Sequence, residues 1–169
     1  TNLSMDISFI LAKRSFLEFM SSKLDDLGIY DVTYLSTALG QAKLCQTRYN
    51  EAKPIAIVDV GHITTSVCVY KGEGLALLSS FSMGGGHISS DLMQLLHLGF
   101  KDAELLKRKI ILTIESLKND FYEICEHGSI VRAPINITNQ IVKSRLEILA
   151  KVIADILGAD AVFKKLNLF

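Results

Sequence analysis

Between two apolar runs, the stretch Ile55–Gly74, "IAIVDVGHITTSVCVYKGEG", places a carboxylate, a glycine and two hydroxyls: Asp59, Gly61, Thr64 and Thr65. Glycine lets backbone N–H groups come close to a ligand. Threonine hydroxyls and those N–H groups can hold phosphate oxygens in an anion-binding turn. A carboxylate beside them can orient the water shell of Mg²⁺, a hard cation that keeps several of its waters. The same pattern also suits a hairpin whose Asp and Thr only satisfy turn backbone. A second group is "MGGGHISSDL", Met83–Leu92, a glycine loop opening onto a helix. Free N–H groups and the positive end of a helix dipole favour anions there. A third is "AELLK", where Glu104 and Lys107 stand one helical turn apart on one face. This pair also reads as a surface ion pair.

Strands and helices must position these groups. "MDISFIL" alternates Met5, Ile7, Phe9 and Leu11, which predicts a strand. "RSFLEFMSSKLDDLG" puts Phe16, Leu17, Met20, Leu24 and Leu27 on one helical face, with Gly28 as the stop. "YDVTYLS" predicts a second strand and "TALGQAKLCQTRY" a second helix. Three strands follow, over 55–60, 64–70 and 75–83, with "KGEG" as a hairpin turn. "ISSDLMQLLHLG" predicts a helix capped by Ser89 or Ser90 and stopped by Gly99. "KDAELLKRKIILTIESLKNDF" predicts a longer helix from about Asp102, and "GSIVRAPI" a short strand. "NQIVKSRLEILAKVIADILG" is helical, with a stripe of Ile141, Ile148, Leu149, Val152, Ile153 and Ile156. The order of elements predicts a mixed α/β fold. Polarity peaks over residues 49–53, a soft boundary.

Composition narrows the class. The 169 residues suffice for one domain or two small lobes, and 49% are apolar. No apolar run reaches the length of a membrane-spanning helix, and no secretion signal is visible. Zero formal net charge argues against nucleic acid as a partner. Cys45, Cys68 and Cys125 are odd in number and have no metal-ligand spacing, so buried reduced thiols are expected.

Together and in this order, the three groups resemble the second half of the actin-like ATPase (ribonuclease H-like) fold, and within it the bacterial division protein FtsA family. "MGGGHISSDL" is similar to that family's glycine loop at Gly84, Gly85, His87, Ile88, Ser89 and Asp91. "RLEIL", Arg145–Leu149, resembles its Arg-x-Glu-Glu-Ile helix, and "LSTALGQAKL" the crossing between lobes. The resemblance implies an α/β chain with a mixed sheet flanked by helices. Residues 1–49 would be the end of the first lobe and the crossing, and 50–169 the second lobe, truncated before the adenosine motif. It implies phosphate binding at Gly61, Thr64, Thr65, Gly84, Gly85 and Gly86, nucleoside binding at Glu104 and Lys107, Mg²⁺ at Asp59 through water, and a partner-binding Arg145. The cofactors would be ATP and Mg²⁺ in the full-length protein, with none expected in an isolated interior fragment of one wall. Activity would be at most slow ATP hydrolysis. Partners would be FtsZ and further copies, at the cytoplasmic face of the cell membrane, reached through a C-terminal segment not included here. The alternatives are a PilM-like type IV pilus adaptor and a sugar or small-acid kinase of the same superfamily. Two departures bear on the site. His62 and Ile63 stand where the family has glycines, and Ser66 where it has Asp after the threonines. His62 is expected to be a solvent-facing turn residue.

Overall fold

Glycine ends the first helix by backbone geometry. α1 spans Arg14–Asp25. Gly28 follows at φ +77°, a left-handed conformation that favours residues without a Cβ. It lets the Ile29 N–H reach back to Leu24 O at 2.9 Å and the Gly28 N–H to Asp25 O at 2.9 Å. This double closure satisfies carbonyls that the helix end leaves open. The expected stop is thus confirmed. The predicted face is present in part: Leu17, Met20 and Leu24 are half-buried, whereas Phe16 and Leu27 are exposed and no residue of α1 is fully buried.

The computed structural model describes residues 7, 9–46, 54–72, 74–113, 120–126 and 129–159. Contacts divide the chain into two units, Thr1–Ile57 with Cys68–Leu78, and Val58–Val67 with Ser79–Phe169. In the first, α2 covers Thr37–Gln46. Its core is Ala42, Cys68, Tyr70 and Leu75, with Ala38, Leu39 and Ile57 packed against them. The strand predicted from "YDVTYLS" is not found, since residues 29–36 have no regular structure. Of "MDISFIL", Met5, Asp6 and Ser8 lie outside the described residues, and residues 7 and 9–11 have no regular structure. Phe9 and Leu11 are 80% and 90% exposed. Alternation alone does not make a strand. A neighbouring strand must accept its hydrogen bonds, and none lies beside these segments among the described residues.

β1 (Ile55–Val60), β2 (Thr65–Lys71) and β3 (Gly74–Phe81) form one sheet in the order β1-β2-β3. Their connections are too short for a parallel crossover, so neighbours run antiparallel. β2 is central, and Thr65, Val67, Cys68, Val69 and Tyr70 along it are buried. The meander predicted from three alternating runs is therefore present.

The second unit adds α3 (Gly85–Leu96), α4 (Phe100–Lys109), β4 (Phe121–Glu126), β5 (Ser129–Pro134) and α5 (Ile135–Ala159). Its core gathers Leu92, Ala103, Leu106, Tyr122, Ile124, Ala133, Ile135 and Val142. Leu92, Leu106 and Ile124 are nearly or wholly buried, each stabilising by roughly 1.5–3 kcal/mol. β4 pairs antiparallel with β5, Phe121 opposite Pro134 and Glu123 opposite Arg132. The helix predicted to run from Asp102 into this region instead stops at Lys109, and Ile110 is extended. Residues 114–119 lie outside the described set. Tyr122 explains why β4 is held here. Its hydroxyl accepts the Ile111 N–H at 3.1 Å and donates to Asn139 Oδ1 at 2.9 Å, tying the end of α4 and β4 to α5.

Other expectations are met in part. α3 begins four residues earlier than Ser89, and Gly99 caps the start of α4 rather than ending α3, which closes on His97 at φ 53°. The predicted stripe of α5 is largely present. Leu149 is buried and Ile141, Val152, Ile153 and Ile156 are half-buried, whereas Ile148 is exposed, and Val142 and Leu157 join the buried face. All three cysteines are free thiols, but only Cys68 is buried, and Cys125 is exposed.

Candidate functional site

The site is built where two loops meet in the second unit. After β1, the Gly61 N–H bonds Thr64 O at 3.0 Å and closes the turn. Thr65, fully buried at the start of β2, donates its hydroxyl to Met83 O at 2.6 Å. That bond fixes the chain leaving β3 beside the chain leaving β1. Gly84 then extends into α3, and the first N–H groups of the helix face the β1–β2 turn. The Gly85 N–H donates to Gly61 O at 2.9 Å and the Gly86 N–H to His62 O at 2.6 Å. The His87 N–H bonds Gly84 O at 3.0 Å, while the Gly84 N–H is accepted by His87 Nδ1 at 3.1 Å. The donors a helix start leaves open are thus satisfied by the protein itself.

This close approach accounts for the glycines. A Cβ on Gly84 would overlap the Gly61 carbonyl oxygen and sit 2.8 Å from His62 O. One on Gly86 would lie 2.8 Å from His62 Nε2 and 2.9 Å from His62 O. Neither position needs a left-handed backbone. Each needs the absence of a side chain.

One turn into α3, Ser89 is completely buried and meets α4. Its hydroxyl donates to Glu104 Oε1 and lies 3.2 Å from Gly85 O. Lys107 Nζ donates to Glu104 Oε1 at 2.7 Å, Ser89 Oγ at 2.9 Å and Gly85 O at 3.1 Å. The Glu104 and Lys107 side chains retain 20% and 22% of their exposure. Lys107, and then Ser89, hold the Glu104 carboxyl below the usual carboxylate range by stabilising its ionised form. The arrangement offers binding groups: an ionised acceptor, an ammonium and hydroxyls around a loop pair. Sequence reading treated Ser89 as a helix cap. Its position three residues past the glycines and opposite Glu104 emerges only from the packing of α3 on α4.

The loop residues Gly61, Thr64, Thr65, Gly84, Gly85 and Gly86 are therefore brought together, and Lys107 joins them through Gly85. Asp59 is exposed near the end of β1, two residues before the turn. Among the described residues, no group of three or more His, Cys, Asp or Glu side chains could hold a metal ion. Arg145 has a different setting. Its Nε donates to Asp91 Oδ2 at 2.6 Å and an Nη to Asp91 Oδ1 at 2.7 Å, a bidentate pair joining α5 to α3. Asp91 holds the guanidinium above its ordinary pKa, favouring its charged form. The pair lines an open groove of about 360 Å³ with Leu95, Ile137, Ile141 and Ile148. The two motifs that hold Asp91 and Arg145 were read separately in the sequence, and the fold joins them. No helix among the described residues is long and apolar enough to cross a membrane.

Comparison with known proteins places this geometry. The family profile described as "Cell division protein FtsA" matches residues 56–166, more than half of the chain. No individually curated protein matches the sequence. Several solved structures share the fold. MreB5 of Spiroplasma citri bound to AMPPNP superposes with a TM-score of 0.67 at 14% identity, covering 88% of this chain and 48% of that one. The PilM–PilN type IV pilus biogenesis complex gives 0.57 at 13% identity, covering 90% and 37%. An archaeal actin homologue in complex with ADP gives 0.55 at 15% identity, covering 74% and 40%. The chain thus spans half or less of the length of these structures, and its fold is a partial actin-like ATPase fold.

Proposed function

The chain belongs to the FtsA cell division family, and from that premise we propose that it is the nucleotide-binding part of an actin-like, filament-forming division protein that links FtsZ to the cytoplasmic face of the membrane. The observation that carries the reading is the Ser89–Glu104–Lys107 node beside the paired glycine loops. An ionised carboxylate accepts sugar hydroxyls, and an ammonium donates to acceptor atoms of the sugar or base. Glu104 and Lys107 would take the nucleoside of ATP. Gly61, Thr64, Thr65 and Gly84–Gly86 would form the phosphate side. Mg²⁺ would supply charge neutralisation of the phosphates, with Asp59 orienting its waters. Residues 1–49 and 50–169 would belong to the first and second lobes respectively. MreB5 bound to AMPPNP and the archaeal homologue bound to ADP support the nucleotide class.

One observation favours a second reading, a nucleotide-independent adaptor like PilM. The Gly85 and Gly86 N–H groups, natural phosphate donors, are already given to Gly61 and His62 carbonyls. Titration of Mg-ATP into the full-length protein separates the two. Binding at micromolar concentrations that is lost in Lys107→Ala supports the nucleotide reading. No binding transfers the conclusion to the adaptor. Nucleotide-dependent pelleting, alone and with FtsZ on lipid vesicles, tests assembly and linkage.

A further inference from the structure

His62 is exposed in the β1–β2 turn, as expected, yet its ring is held in place. It is bounded by two separate elements. At the start of α3, Gly86 leaves the space the imidazole edge occupies, since a Cβ there would lie 2.8 Å from Nε2 and 2.9 Å from Cε1. At the start of α4, the Phe100 ring meets it edge to face, with centroids 6.5 Å apart and planes at 87°. That is a favoured geometry for aromatic pairs. The backbone beneath is fixed as well, because His62 O accepts the Gly86 N–H at 2.6 Å. The ammonium of Lys107 is close to the same turn, since a Cβ on Gly85 would lie 3.7 Å from Lys107 Nζ and 3.8 Å from Gly61 O, and Lys107 carries Glu104 with it. Both rings keep exposed surface. An exposed aromatic pair held from several sides beside a carboxylate and an ammonium is preorganised to receive a flat, hydroxyl-bearing ligand. Preorganisation of this kind lowers the ordering cost of binding.

Resting on the nucleotide reading above, we propose that His62 is a specificity-determining residue of this site, its imidazole, braced edge to face by Phe100, serving as an aromatic wall against which the nucleoside part of the ligand rests. The bulk of His62 then adds contact rather than obstructing the turn. Gly86 is the matching half of the device, since it makes room for the ring. The wall acts on the sugar and base, so its contribution is the same whether the ligand carries two phosphates or three.

The test is isothermal titration of the full-length protein with Mg-ATP and Mg-ADP, using wild type, His62→Gly, His62→Phe and Lys107→Ala. Circular dichroism confirms that each variant is folded. His62→Gly should weaken both ligands by a similar factor of about ten, the scale of one aromatic contact to a base. His62→Phe keeps a flat ring and should bind close to wild type. If His62→Gly binds as tightly as wild type, or tighter, while Lys107→Ala loses binding, the wall is overturned and the nucleotide site stands. A loss that is much larger for ATP than for ADP places the ring on the phosphates and also overturns the wall. No binding by wild type overturns the nucleotide reading and this inference with it.

Discussion

Replacing Arg145 with alanine tests whether that residue holds the fold or waits for a partner. Two charge-assisted hydrogen bonds, at 2.6 and 2.7 Å, join it to Asp91. Hydrogen bonds to charged groups contribute roughly 1.5–3 kcal/mol. Fully exposed pairs contribute about 1 kcal/mol or less. The two side chains retain 26% and 21% of their exposure, between those limits. Removing Arg145 leaves the Asp91 carboxylate half-shielded from water, so Arg145→Ala should cost about 2 kcal/mol. With a urea slope of about 2 kcal/mol per molar, the unfolding midpoint falls by about 1 M. Asp91→Ala should cost a similar amount, and the double variant little more, giving a coupling of about 1–2 kcal/mol. Arg145→Lys keeps the charge but loses the planar fork, and should fall between wild type and alanine. The assay is urea unfolding followed by circular dichroism. Midpoints for Arg145→Ala and Asp91→Ala that match wild type, with no coupling, would refute the reasoning and leave the guanidinium available for a partner.

Stability should depend on pH through Glu104. Its folded pKa lies below the unfolded value because Lys107 and then Ser89 favour the ionised form, so its contribution is fully present above the unfolded range, about pH 4.3, and is lost as pH falls through the lowered folded value. Wild type should therefore lose more melting temperature than Glu104→Gln between about pH 5 and pH 3, and parallel profiles would show the node to be inert. Gly84→Ala drives a methyl into the Gly61 and His62 carbonyls and should cost about 1–3 kcal/mol, read as a fall of roughly 3–10 °C in Tm. Gly40→Ala, a helical site with nothing within 4 Å of the new methyl, should be neutral or stabilising in the same scan.

Much of the fold was legible because it depends on local rules. Gly28 ends α1 through a backbone conformation, and sequence alone indicates where such a residue stands. The 55–60 run and its two successors alternate between polar turns, and β1, β2 and β3 follow. The long apolar period of α5 predicted a helix and most of the face it buries, with Ile148 as the exception. "YDVTYLS" reads as a strand as well, yet residues 29–36 form none. The difference is the availability of a neighbouring edge, which no window of sequence contains. β4 was missed for the converse reason. Its pairing with β5 and the bonds from Tyr122 to Ile111 and Asn139 are what draw Phe121–Glu126 into a strand.

At the site, residue types and spacing alone picked out Asp59, the paired threonines, the glycine loop, and Glu104 one turn before Lys107 as candidates, and the family resemblance supplied their expected roles. Those features are local, since a turn, a helix start and a helical repeat each lie within a few residues. Tertiary structure decided how the groups are used. The Gly85 and Gly86 donors are spent on Gly61 and His62, because β1 and β3 deliver their loops side by side. Ser89 becomes the bridge to Glu104 and Lys107 when α3 packs on α4. Asp91 finds Arg145 across 54 positions of chain. Hydrogen bonds are short and directional, so a donor's partner is set by which backbones the fold brings within about 3 Å, and sequence spacing carries that information only within a single turn or helix.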